Sequence, residues 1–311
     1  MSLRDHLENH QVLIYFAAVL LGAGVAWGLP GTQVLEVAIN PALALMLLVT
    51  FLQVPLATLG RAFVQGRFLG ALLTANFVAI PLLVLGLTQF LPTDPLIRFG
   101  VTLVLLAPCI DYVVTFAHIG KADAGLLLAA TPVLLMAQMA LLPLYLGLFL
   151  GDAAAQLVQP GPFIEAFVWL IALPLLVAVL LQRRAPQWLL DGLGLLPVPA
   201  TALVLFLVVA SVLPQLGAAH GVAGQVAPFY LAYAVLAPLV GWGVARVFRL
   251  PAPAGRAVAF SSATRNALVI LPLALAVPGG MPVLPAVFVT QTLVELVAEL
   301  GLIRWVPRLG R

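Results

Sequence analysis

Apolar runs cut by arginine, glycine and proline repeat along the whole chain, and their length, roughly 17–25 residues, matches an α-helix crossing a bilayer. The pattern predicts ten such spans, at 12–29, 34–56, 68–91, 97–118, 124–150, 163–182, 199–218, 227–249, 255–277 and 282–303. A polar stretch, Met1 to Gln11, precedes the first run. That run reads as a retained span rather than a signal peptide, because nine more follow it.

The basic residues test this count. With ten spans, one side of the membrane carries Arg4, Arg61, Arg67, Lys121, Arg183, Arg184, Arg246, Arg249, Arg256, Arg304, Arg308 and Arg311, and the other carries Arg98 alone. Arg265 falls inside a span. Twelve against one is the asymmetry expected of cytoplasmic loops, with both termini cytoplasmic. The predicted location is the cell (inner) membrane.

The two halves are alike. Residues 41–51 read PALALMLLVTF and residues 199–209 read PATALVLFLVV, an offset of 158; Pro81 and Pro238 stand 157 apart. The fourth and ninth spans each carry a polar interruption, APCID at 107–111 and SATRN at 262–266, at an offset of 155. Five spans per half is odd, so the halves lie in opposite orientations. The expected fold is an all-α membrane protein of two inverted five-helix repeats, residues 1–155 and 156–311, in one integral membrane domain with interrupted fourth and ninth helices. Paired broken helices in inverted repeats are the arrangement by which secondary transporters build a site at the bilayer midplane.

Composition adds exclusions. Of 311 residues, 63% are hydrophobic and 8% charged, with a mean hydropathy of +1.17. A soluble domain carries about 25% charged residues, so lipid is the solvent for this surface. The net charge of +3 comes from basic residues set singly or in short groups between apolar runs, which flank a membrane rather than bind nucleic acid. One cysteine, Cys109, rules out an intramolecular disulfide or a multi-cysteine zinc site. The four histidines are scattered, and neither a metal site nor a cofactor is expected. No loop is long enough for a signalling domain, and no nucleophile–base pair suggests an enzyme.

Polar residues inside spans carry the candidate chemistry, since a charge at the bilayer centre costs at least ~2.5–3.5 kcal/mol. Asp111 follows Pro108 and Cys109; Arg265 lies between Thr264 and Asn266 in the matching span. Repeat symmetry brings the two interruptions together, so Asp111 and Arg265 are expected to face each other. They form either a structural ion pair or a working one, with Asp111 taking up protons. Glu295 and Glu299 are four residues apart and share a helix face. Glu295 is the deeper and a candidate proton relay, whereas Glu299 near the helix end either reaches water or joins it. Asn76 bonds a neighbouring helix or lines a site. Thr131 either satisfies the carbonyl freed by Pro132 or lines the same site. Cys109 is either a small packing residue or a thiol for a soft solute.

At these residues the chain resembles the bile acid/arsenite/riboflavin transporter superfamily, and is most similar to its arsenical-resistance branch, the arsenite efflux permeases. The segment PCIDYVVTFAHIGKAD at 108–123 is similar to that branch's fourth-span motif, Asn76 and Pro81 match a third-span spacing, and ATRNALVILPLALAVPG at 263–279 looks like the ninth-span motif. The resemblance implies that Cys109 contacts arsenite. It also exposes departures. Leu268 stands near the glutamate expected in the arsenite branch. Where the bile-acid branch holds sodium, this chain has Val113, Val114, Leu127, Ser261 and Arg265, with Thr131 retained. Valines supply no oxygen ligand and Arg265 adds a fixed positive charge, so the resemblance and the chemistry together favour protons over sodium.

The expectation is therefore a secondary active transporter, an antiporter that exports arsenite or a related metalloid against protons. The substrate site would comprise Cys109, Asp111, Arg265, Asn266, Asn76, Thr131 and Thr264, with Asp111 and Glu295 carrying the coupling proton. The alternative is a transporter of a small organic anion, its carboxylate or phosphonate paired with the planar donors of Arg265. The expected partners are the small solute, protons and membrane lipid.

Overall fold

The apolar runs fold as helices, and no strand occurs among the described residues of the computed structural model, which are 3–53, 65–110, 112–150, 164–165, 168–214, 221–275, 277, 279–280 and 283–310. Asp111, Arg61 and the predicted repeat boundary near residue 155 lie outside them. The helices are α1 (Leu3–Gly28), α2 (Ile39–Gln53, after a 3₁₀ segment Thr32–Ala38), α3 (Gly66–Thr74), α4 (Ile80–Thr88), α5 (Pro95–Leu105), α6 (Val113–Ile119) and α7 (Ala124–Leu150). Then come α8 (Leu173–Arg184, after a π segment Val168–Ala172), α9 (Gln187–Leu193), α10 (Pro197–Val212), α11 (Val222–Val247), α12 (Ala252–Ala263), α13 (Ala267–Leu275) and α14 (Val283–Trp305). Among the described residues, seven helical stretches are long and apolar enough to cross a membrane.

The burial pattern inverts that of a soluble protein. Leu82, Leu148, Val235 and Val297 are exposed, while Asn76, Arg265 and Glu299 are 0% exposed. Apolar side chains outside and polar ones inside describe a multi-pass membrane protein.

The chain forms two compact units. One comprises Met1–Val54, Val158–His220 and Leu271–Val289. In it α1 lies along α10, and Gly22 permits the contact: a Cβ there would sit 2.8 Å from the Phe206 carbonyl oxygen. The Gln182 side chain on α8 donates to the carbonyls of Phe51 and Leu52, which the end of α2 leaves open. At the start of α1, His6 and His10 have a metal-like spacing of four, but His10 Nδ1 is taken up by the His6 carbonyl at 2.8 Å. No group of three or more potential metal ligands occurs among the described residues.

The other unit comprises Pro55–Leu157, Gly221–Ile270 and Thr290–Arg311. It contains every described residue of the predicted site. Here α11 and α12 lie together, and Gly241 allows it: a Cβ there would meet the Val258 carbonyl oxygen at 2.9 Å and the Ser262 Cβ at 2.7 Å. Between α3 and α4 the helix widens to a π turn over Ala75–Ala79. Pro81 has no N–H to give the Phe77 carbonyl, and the Tyr145 hydroxyl of α7 donates to it instead. At one end of the unit Arg256 donates to the carbonyls of Lys121 and Leu309, gathering three basic segments. Asp94 caps α5, accepting from the N–H groups of Leu96 and Ile97, with Pro95 in the first turn.

Candidate functional site

Two predicted spans are broken where their polar interruptions fall. α5 stops at Leu105, and Pro108 forbids the residue before it a helical conformation while offering no N–H of its own. α12 stops at Ala263, and Thr264 is extended, with φ −96° and ψ 128°. The two unwound segments cross as an antiparallel bridge between Pro108 and Arg265. Cys109 N–H donates to the Thr264 carbonyl at 3.1 Å, and Asn266 N–H donates to the Ala107 carbonyl at 2.8 Å. Each broken helix thus satisfies the other's backbone, which is the condition for irregular chain at membrane depth.

Arg265 is the largest of the fully buried side chains. Three oxygens converge on its Nη2: Asn76 Oδ1 at 2.9 Å, the Ser262 carbonyl at 2.8 Å and the Ser261 carbonyl. Nη1 reaches the Leu105 carbonyl at 3.4 Å. The guanidinium carbon stands 5.6 Å from the centroid of the Tyr233 ring, whose hydroxyl donates to the Ser262 carbonyl at 2.7 Å. Asn76 is itself held by donating to the Leu72 carbonyl at 3.1 Å and to Ser261 Oγ at 3.0 Å. The π turn that carries Asn76 thereby reaches α12. Among the described residues no carboxylate comes within ion-pair distance of this guanidinium; its partners are neutral oxygens.

Glu295 binds the same crossing from α14. Its Oε2 accepts from the Arg265 backbone N–H at 2.6 Å and from Gln291 Nε2 at 2.6 Å. Its Oε1 accepts from the Tyr112 hydroxyl at 2.6 Å, and that hydroxyl also lies 3.2 Å from the Arg265 carbonyl. One turn on, Glu299 Oε1 stands 2.8 Å from Thr264 Oγ1, a hydroxyl that also faces the Phe260 carbonyl at 2.8 Å. Glu299 is 0% exposed, so it does not reach water at the helix end.

The predicted residues therefore divide. Asn76, Cys109, Thr264, Arg265, Asn266 and Glu295 meet at or against the crossing, and Asp111 lies outside the described residues. Thr131 does not join them: its hydroxyl donates to the Leu127 carbonyl at 3.2 Å, within its own helix. That is one residue away from the Leu128 carbonyl left open by Pro132. Tyr112, Tyr233, Ser262 and Gln291 complete the network without having been singled out from the sequence. Of these only Gln291 carried a signal, since it extends the Glu295–Glu299 stripe by one turn. Two buried donors at the crossing, Arg265 Nε and Asn266 Nδ2, have no partner among the described residues.

The family model described as Sodium Bile acid symporter family matches residues 40–220, more than half of the chain. The chain belongs to the sodium bile acid symporter family. It is a multi-pass membrane transporter of the bile acid symporter type, which implies a small solute as its cargo. The family match contains Asn76, Cys109 and Tyr112, while Ser261 to Glu299 lie beyond it. No curated protein matches the chain significantly.

Proposed function

We propose that the protein is a proton-coupled secondary transporter that exports arsenite or a related metalloid. One observation carries the coupling half of this reading: the oxygens that converge at the crossing are already occupied by the Arg265 guanidinium. Sodium, a hard cation, wants several oxygen ligands. Here Asn76 Oδ1 and two carbonyls bind a tethered cation instead, and buried Val113 and Leu127 offer no oxygen. These residues do not fit a sodium ion.

Protons are left as the coupling ion, and Glu295 is the carboxylate bonded directly to the crossing backbone. A proton added to Glu295 removes an acceptor from Arg265 N–H, so it weakens the joint between the broken helices. Asp111 is the second proposed proton carrier, by its place in the fourth-span interruption. Within the two inverted repeats read from the sequence, such a joint is where alternate access would be set.

Cys109 supports the metalloid as cargo. Its backbone is part of the bridge and its side chain is fully buried there. One thiol holds a trivalent metalloid more weakly than three, which suits release. In proteoliposomes Cys109→Ala is expected to lose most arsenite flux; flux equal to wild type rejects the thiol contact.

A small organic anion is the second reading, and Arg265 Nε and Asn266 Nδ2, without a partner among the described residues, favour it, since both can donate to an oxyanion. It predicts that Cys109→Ala transports normally while Asn266→Ala weakens binding of a carboxylate probe such as pyruvate, measured by calorimetry.

A further inference from the structure

The last helix turns three polar side chains, Gln291, Glu295 and Glu299, to one face at intervals of four residues. All three line a narrow cavity that also reaches Leu105, Tyr230 and Tyr233, with room for about one water molecule. All three are buried, at 3%, 6% and 0% exposed. Three oxygens of cavity-lining residues have no hydrogen-bond partner among the described residues: Glu299 Oε2, Gln291 Oε1 and the Tyr230 hydroxyl. A buried polar atom left unpaired is costly, so three around one small space call for an exchangeable hydrogen within it.

We infer that Glu299 is a second proton-binding carboxylate, joined to Glu295 through a water in this cavity. The hydrogen-bond inventory places the proton. Both oxygens of Glu295 already accept, from Tyr112, Gln291 and the Arg265 N–H. Glu299 Oε1 stands 2.8 Å from Thr264 Oγ1, whose one hydrogen is shared with the Phe260 carbonyl, and Oε2 has no partner among the described residues. A proton there turns an orphaned acceptor into a donor toward the water, which in turn donates to the Tyr230 or Gln291 oxygen. Among the described residues, the titratable or charged groups facing the pair are Tyr112 just before α6, Tyr230 and Tyr233 from α11, and Arg265 from the crossing.

Transfer between the carboxyls is balanced. Glu299 gives its proton to the water as the water gives one to Glu295, leaving Glu299 ionised, Glu295 neutral and the pair's charge unchanged. Glu295 Oε1 receives it when the Tyr112 hydroxyl turns its hydrogen to the Arg265 carbonyl, which already lies 3.2 Å away. Thr264 ties the second carboxylate to the joint: its hydroxyl oxygen lies 2.8 Å from Glu299 Oε1 and its carbonyl accepts from the Cys109 N–H. The use of this proton in transport rests on the proton-coupled reading above; its presence on Glu299 does not.

Infrared difference spectroscopy on the purified full-length protein, in H₂O and D₂O, tests it. Wild type is expected to show a buried carboxyl C=O band, slow to shift in D₂O, that disappears in Glu299→Gln and persists in Glu295→Gln. A buried band unchanged in Glu299→Gln, or no such band in wild type, overturns the inference. If Glu299→Gln does not fold, Tyr230→Phe serves: it keeps the carboxyl but removes a partner of the water, and must shift the band. An unshifted band there also overturns it. A Glu299 band together with sodium-driven, pH-indifferent flux would remove the proposed function alone, and proton-driven flux without that band would remove this inference alone.

Discussion

A guanidinium with no exposure, in a bundle whose outer face is apolar, must be satisfied atom by atom. Arg265 meets this at Nη1 and Nη2 with carbonyls and an amide, and Nε has no partner among the described residues. Replacing it by leucine leaves Asn76 Oδ1 and the Ser261 carbonyl without a donor, while Tyr233 still serves the Ser262 carbonyl, a loss of about 2 kcal/mol at ~1 kcal/mol for each orphaned acceptor. Thermal unfolding in detergent should show Arg265→Leu well below wild type. Arg265→Gln is more telling. It vacates the place of the cation while keeping an amide oxygen, so sodium chloride, compared with choline chloride, should raise the unfolding temperature of this variant and not that of wild type. Equal responses in both would mean that the oxygens do not form a cation cage. At this scale Asn76, Cys109, Arg265 and Glu295 were legible in the sequence because a polar or lone reactive group in an apolar span stands out by its cost. Tyr112 and Tyr233 were not, because a tyrosine's apolar body suits a span and only its neighbours reveal what the hydroxyl does. Thr131 misled for the opposite reason: a hydroxyl in a helix can always return to its own backbone.

Between residues and fold stand the breaks in the helices. Pro108 announces the first break directly. The second has no proline, and Thr264 is extended with its carbonyl turned to the Cys109 N–H of the crossing segment, so only the polar cluster hinted at it. The π turn at Ala75–Ala79 was invisible, since its cause is divided between Pro81 and a tyrosine 64 residues further on. That division makes a prediction. Tyr145→Phe leaves the Phe77 carbonyl without a donor and should cost about 1 kcal/mol, in the range found for hydrogen bonds between membrane helices. In a Pro81→Ala background the restored N–H can serve that carbonyl, so the same substitution should cost much less. A double-mutant cycle on unfolding in mixed micelles checks this, and equal costs in both backgrounds would refute the assignment. α9 went unread as well. It follows Pro186 and is held by a Gln187–Asp191 side-chain bond at 2.9 Å, with no buried face to give a periodic signal.

For the whole molecule, length and hydropathy carried most of the reading: apolar runs became helices, and the lipid-facing surface follows from there being too few charges to cover it. The orientation argued from arginine and lysine is open to a direct check. In a Cys109→Ser background without other cysteines, Lys121→Cys should react with an impermeant maleimide only from the cytoplasmic face and Thr93→Cys only from outside. Labelling of both from one face would break the ten-span alternation. What the sequence could not provide was the partner of each buried polar group, because a family resemblance names positions and not hydrogen bonds. If a tethered guanidinium has taken the place of sodium and a carboxylate beside it moves protons, the proton must be the driving ion. Arsenite flux in proteoliposomes, driven in turn by a pH gradient and by a sodium gradient, tests it most directly. Movement should be driven by the pH gradient with choline replacing all sodium, and should be lost in Glu295→Gln. Flux that follows the sodium gradient and ignores the pH gradient would contradict it.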